Sequence, residues 1–272
     1  MIKALFFDLD DTLLTSSKKI SDLSFETLRT CKEKGIYVFV VTARAPMLDV
    51  MLGWDECVYS LLDGGIYCNG ACIQYQDTSL YSLIAPDIVE KCVECVAKYP
   101  DVHMALHLEE DDHAFNYALP DDMLVPWGLK REEVCMIDAS CFAKSVKILI
   151  YSKNLVDNEL VLPSGLYKEI EEICQNSANV YLLDQGKTIQ VIDREVNKYT
   201  SVEYIRERLG LSRDEIAVFG DGENDIDMLS LYPNSVAMGN ANDPVKEIAK
   251  YITLSNDEEG ISFAIHDLLE II

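Results

Sequence analysis

The chain has 272 residues, 49% of them apolar, and carries 47 acidic against 23 basic side chains for a formal charge of −24. That length exceeds one average domain and supplies ample material for a core. So negative a surface repels phosphate backbones and anionic membranes, which argues against nucleic-acid or membrane partners, and no apolar run reaches the roughly 18 residues of a membrane span.

The opening "MIKALFFDLDD" has one Lys and a short apolar run that ends in acids rather than at a small-residue cleavage site. It therefore does not read as a signal peptide, and the nine cysteines read as reduced thiols of a cytoplasmic protein. "IKALFFDLD" is a short strand; "SDLSFETLRTCKEKG" is a helix that Ser21 or Asp22 can cap, with Gly35 past its end. "IYVFVVTAR" is a continuous β-branched run of the kind buried on both faces of a sheet. "YSLLDGGIYCNGACIQY" reads as a strand and a hairpin with turns at Gly-Gly and Asn-Gly.

From about residue 83 to 189 the pattern changes to two helical stretches and short strands such as "SVKILIY" and "NVYLLD", separated by turn-rich acidic segments such as "LEEDDHAFNYALPDDM". The pair Cys92 and Cys95 lies on a helical stretch where Ile88, Val89, Cys92 and Val96 share a face. No second such pair follows, so core packing is preferred to a zinc site. From "KTIQVID" onward the first pattern resumes, through "NKYTSVEYIRERLGL" and "EIAVFGDGENDIDMLSLY" to a closing helix. Alternating strands and helices imply a parallel sheet. The expected fold is α/β: a doubly wound, Rossmann-like core over 1–82 and 190–272, with an inserted α/β cap domain over 83–189.

Polar clusters follow the core strands: Asp8, Asp10, Asp11 and Thr12; Thr42 and Arg44; and Asp221 to Asp225. Lys198 starts a helix. A parallel sheet gathers such groups at the carboxyl ends of its strands. Three acids in four positions repel one another unless something positive stands among them, and a cation with Lys198 meets that need. If the strand continues, Asp8 and Asp10 project to one side. One carboxylate can then attack phosphorus while the other protonates the leaving oxygen and later activates water. Asp221 and Asp225 offer the hard oxygen ligands that Mg²⁺ prefers, Thr42 can donate to a phosphate oxygen, and Lys198 can offset charge on the transferring group.

The stretches "FFDLDDTLL", "VFVVTAR", "NKYTSVEYIRERLGL" and "FGDGENDIDML" resemble, in order, the four motifs of the haloacid dehalogenase superfamily. With "CNGACI", "VAMGNANDPVKEIAKYIT" and "SNDEEGI" they are most similar to its Cof-type sugar-phosphate phosphatases with a large α/β cap. The likeness covers roughly 1–75 and 190–272; the cap matches in size and position only. It implies Asp8 as nucleophile and Asp10 as general acid/base, with Mg²⁺ on the Asp8 carboxylate, the Asp10 carbonyl and Asp221, supported by Asp225. It implies phosphate contacts from Thr42 and Lys198 with Asn224 near, and Arg44 close to the substrate. Asp11 and Ala43 depart from the family, which commonly has Gly at both places.

The expected activity is Mg²⁺-dependent hydrolysis of a small phosphorylated metabolite, a sugar phosphate by preference, through an aspartyl phosphate. A phosphomutase of the same fold and a non-catalytic phosphate-binding or regulatory protein are the alternatives. Dehalogenation has no need of Asp10, a P-type pump needs membrane helices, and a receiver domain is about half this length. The physiological substrate and the oligomeric state are not legible in the sequence.

Overall fold

The computed structural model describes residues 1–153, 155–156, 159–183 and 186–272. Two units emerge: Met1–Arg44, Leu52–Ser79 and Asn197–Ile272 form the first, and Ala45–Met51 with Leu80–Val196 form the second. In chain order the strands begin with β1 (Ala4–Phe7), β2 (Tyr37–Val41), β3 (Gly64–Tyr67), β4 (Cys72–Tyr75) and β5 (Thr78–Tyr81). The second unit contributes β6 (Val102–Leu108), β7 (His113–Phe115), β8 (Val134–Met136), β9 (Ser145–Ser152), the short antiparallel pair β10 (Leu155–Val156) and β11 (Glu159–Leu160), β12 (Ala178–Leu183) and β13 (Thr188–Asp193). The chain then returns to the first unit with β14 (Ile216–Gly220), β15 (Asn234–Ala237) and β16 (Tyr251–Ile252).

The first sheet runs β16-β15-β14-β1-β2-β3-β4-β5, parallel as far as β3, with β4 antiparallel to β3. Every residue of β1 is buried, as befits a strand covered on both faces. Phe6 stacks on Phe39 at 4.8 Å and Phe7 on Phe219 at 4.5 Å, tying β1 to both neighbours. The register sets Phe7 beside Phe219 and Val40, so Asp8, Gly220 and Val41 lie level at one edge. Strand order reverses about β1, and that reversal opens a crevice at the carboxyl edge. The helix Asp22–Glu33 is capped by Ser21, whose hydroxyl accepts from the Ser24 N–H, and it buries Ser24, Thr27, Leu28 and Cys31. Among the described residues no helix is long and apolar enough to cross a membrane.

Gly64 and Gly65, expected in a turn, lie inside β3 instead. A Cβ on Gly64 would meet the Gln74 carbonyl oxygen at 2.5 Å and one on Gly65 would strike the Tyr67 hydroxyl, so close packing rather than turning accounts for both. The expected Asn-Gly turn is present between β3 and β4.

The second unit holds a sheet ordered β12-β13-β9-β6-β7-β8, antiparallel except for β7 with β8. The helices Pro86–Val96 and Leu166–Cys174 supply Ile88, Val89, Cys92, Val96, Ile170 and Cys174 to one core with Met104, Leu106, Ile148, Ile150 and Val191. Cys92 and Cys95 are thus buried core thiols. β7 arises within the segment read as acidic turns, since His113-Ala114-Phe115 is its one fully buried triplet. "KTIQVID", read as reopening the first unit, pairs along β13 with β12 and β9, because an apolar alternation does not say which sheet it joins.

Candidate active site

β1 stops at Phe7, and the Asp8 N–H still donates to the Phe219 carbonyl at 3.0 Å. The chain then coils through residues 9–13, where the Leu13 and Leu14 amides donate back to the Asp8 and Leu9 carbonyls. Asp10 stays extended, whereas Asp11 adopts φ +60°, a left-handed conformation that Gly takes freely and Asp tolerates. The extended geometry therefore fails just after Asp8, and Asp8 and Asp10 engage different partners.

Asp8 faces Lys198. Asn197 caps the helix Lys198–Leu209 by accepting from the Thr200 N–H at 2.8 Å, while the Thr200 hydroxyl accepts from the Asn197 N–H. This places the buried Lys198 ammonium 2.5 Å from Asp8 Oδ1 and 2.7 Å from Asp225 Oδ1. Asp225 Oδ2 accepts from the backbone N–H groups of Asp221 and Gly222, so Asp225 folds the loop after β14 around itself. A Cβ on Gly220 would strike the Asp225 carboxyl carbon at 2.5 Å, which explains the glycine at the strand end. Asp221 accepts from the Thr12 hydroxyl at 2.7 Å.

Oxygens of Asp8, Asp221 and Asp225 all lie within 4.8 Å of one another. Three carboxylates against the single ammonium of Lys198 leave a formal excess of two negative charges. Burial, with the neighbouring Asp225 second, pushes the Asp221 carboxyl up to about 7. Burial likewise raises Asp8 well above its ordinary range, against the pull of Lys198. Hard oxygen donors with unbalanced negative charge could hold a metal cation. Asp8 and Asp221 are the carboxylates best placed to bind it, because both oxygens of Asp225 are already engaged.

Asp10 sits in a different field. Arg44 donates from Nε to Asp10 Oδ2 at 2.7 Å and from Nη2 to Oδ1 at 2.8 Å, and Lys18 Nζ lies 2.9 Å from Oδ1. Burial alone would raise Asp10, but these cations outweigh it and hold the carboxyl below its ordinary value. Arg44, expected near the substrate, thus forks a carboxylate.

Thr42 is buried directly after β2, and its hydroxyl accepts from the Arg44 N–H at 3.1 Å. Asn224 donates from Nδ2 to Asn69 Oδ1 at 2.9 Å. The structure thus groups Asp8, Lys198, Asp221 and Asp225, sets Asp10 with Arg44, and joins Asn224 to Asn69. The sequence reading gave no role to Thr12, Lys18 or Asn69; only Thr12 had a visible signal, two places after the second acid of its motif.

The family model for haloacid dehalogenase-like hydrolases matches residues 5–265. The 5-amino-6-(5-phospho-D-ribitylamino)uracil phosphatase of Bacillus subtilis is 28% identical over 261 residues, covering 94% of this chain and 93% of its own. The phosphoglycolate phosphatase of Archaeoglobus fulgidus is 27% identical over 274 residues, covering 98% and 96%. Among solved structures, a haloacid dehalogenase-like hydrolase from Bacteroides thetaiotaomicron superposes with a TM-score of 0.78 at 25% identity, covering 98% of this chain and 100% of the other.

Proposed function

The chain belongs to the haloacid dehalogenase-like hydrolases and is a phosphatase, and from that premise we propose a Mg²⁺-dependent phosphomonoesterase that works through a phosphorylated Asp8. The observation that carries this reading is the Lys198 ammonium between Asp8 and Asp225, in a cluster still two positive charges short of balance.

In the first step the Asp8 carboxylate attacks phosphorus, the ester P–O bond breaks, and Asp10 gives the leaving oxygen its proton. In the second step water attacks phosphorus and gives a proton to Asp10, releasing inorganic phosphate and restoring Asp8. Asp8, the Asp10 carbonyl and Asp221 would hold a divalent cation, which would supply positive charge where two anions must meet. Lys198 and Thr42 hold the phosphoryl oxygens, with Asn224 beside them. Asp10 begins ionised under Arg44 and Lys18, so its acid role requires a proton and a loosened Arg44 fork.

Small phosphorylated metabolites, and sugar phosphates among them, are the substrate class we favour; support comes from the B. subtilis relative, named for a phosphorylated ribityl compound. We assign the inserted unit the part of a cap that selects among them. The test is hydrolysis of p-nitrophenyl phosphate with and without Mg²⁺, beside Asp8→Asn, followed by a sugar-phosphate panel. Turnover that needs both Mg²⁺ and Asp8 is expected; wild-type activity in Asp8→Asn would refute the covalent route.

A further inference from the structure

Asn69 occupies the turn between β3 and β4 with φ +54° and is wholly buried. Three contacts fix it. Its backbone N–H donates to the Thr42 carbonyl at 2.9 Å, behind β2. Its Oδ1 accepts from Asn224 Nδ2, in the loop behind β14. The next residue, Gly70, presses on the start of the Lys198 helix: its carbonyl accepts from the Ser201 hydroxyl at 3.0 Å, and a Cβ there would meet the Asn197 carbonyl oxygen at 2.5 Å.

β2 and β14 are the two neighbours of β1. A residue joined to the ends of both therefore spans the end of β1, where Asp8 stands. Since Asn224 holds the carbonyl end of the amide, Nδ2 is turned the other way, and that buried donor has no hydrogen-bond partner among the described residues. Leaving such a donor unpaired is costly, and native proteins seldom carry one without a ligand or water to satisfy it.

We propose that Asn69 is a further phosphate-binding residue, its Nδ2 donating to a non-bridging oxygen of the phosphoryl group over Asp8. The inference rests on the phosphatase reading above. A hydrogen bond to a charged group is worth about 1.5–3 kcal/mol, or a roughly 10- to 100-fold change in affinity.

The test uses the full chain and inorganic phosphate as a competitive inhibitor of p-nitrophenyl phosphate hydrolysis. Asn69→Ala is expected to weaken phosphate inhibition about 10- to 100-fold in the wild-type background and again in Asn224→Ala. An unchanged inhibition constant, or an effect that vanishes in the Asn224→Ala background, would show that Asn69 only steadies Asn224 and overturn the proposal. Should Asn69→Ala fail to fold, the Asn69 side-chain amide proton signals of the wild-type protein decide: a downfield shift on adding phosphate supports the contact, and no shift refutes it. Absence of phosphate inhibition in the wild type would instead strike the phosphatase reading itself.

Discussion

Lys198 Nζ stands 2.5 Å from Asp8 Oδ1, an ion pair in which the ammonium is sealed from water and shared with Asp225. The two carboxylates hold the Lys198 proton more tightly than usual against the effect of burial. Removing the cation leaves two buried acids facing each other. Breaking a buried pair costs about 3–5 kcal/mol, and losing a charge that steadies a transition state costs about 10²–10³ in kcat. Lys198→Met should therefore lose both, as read by urea unfolding at neutral pH without Mg²⁺ and by turnover with it. A variant as stable as the parent would mean the pair contributes no net stability.

Asp221 gives a pH dependence with a definite sign. Its carboxyl titrates at about 7 in the folded protein against an ordinary 3.8, so the fold takes up a proton between these values. Without a cation this group makes the protein less stable as pH rises through that window. On the proposed assignment Mg²⁺ should reverse the effect, because a cation held here would bind the ionised form and compete with the proton. Mg²⁺ should raise the melting temperature more at pH 8 than at pH 6, equivalent to about 2.7 kcal/mol at one hundred times its dissociation constant. In Asp221→Asn the rise should disappear. A Mg²⁺ shift equal at both pH values would place the ion elsewhere.

The Arg44 fork on Asp10 should show in kinetics rather than in stability. The Asp10 carboxyl is about a third exposed, and pairs open to solvent contribute about 0–1 kcal/mol. Arg44→Gln should thus melt close to wild type. Its catalytic consequence is different, since the fork helps hold Asp10 ionised. Without it Asp10 binds its proton at higher pH, and the limb of the kcat/KM profile that reports Asp10 should move upward. An unmoved profile would show that Asp10 does not govern that limb.

The acids and strands of the site could be read ahead because each lies beside a buried apolar run: "ALFF" before Asp8, "YVFVV" before Thr42 and "IAVFG" before Asp221. Burial on both faces dictates such runs, and parallel pairing brings their ends together. The side chains were harder to place. Alternation puts Asp8 and Asp10 on one side only while the chain is extended, and it coils from Leu9. Asn69 announced a turn through its Gly neighbour, but its link to Asn224 joins residues 155 apart and depends on the strand order. The pairing of Arg44 with Asp10 joins residues 34 apart and depends on β1 and β2 lying side by side, which no local pattern in the sequence states.

In the second unit, His107 on β6 and His113 on β7 are directly paired, buried and stacked at 4.6 Å with 12° between ring planes. Burial, and then the ammonium of Lys147 on the neighbouring β9, holds His107 well below its ordinary 6.5; burial, His107 and Lys147 do the same to His113. Asp111 opposes this at His113, whose Nδ1 meets its backbone carbonyl at 3.0 Å, while its carboxylate meets His107 Nε2 at 2.9 Å. Both rings are thus neutral when folded, whereas the unfolded chain protonates them below pH 6.5. Stability should be intact above that pH and fall as pH drops through it, by up to about 1.4 kcal/mol per pH unit for each histidine. Urea midpoints between pH 7.5 and 5.5, followed by tryptophan fluorescence, read the slope, and Trp127 packs against His113 at 6.1 Å as a local reporter. Carboxylates add their own slope at lower pH, so the comparison is with the double variant His107→Gln and His113→Gln, whose decline over this window should be shallower. Parallel declines would mean that the rings accept protons in the folded protein without penalty, and that Asp111 compensates for the burial in full.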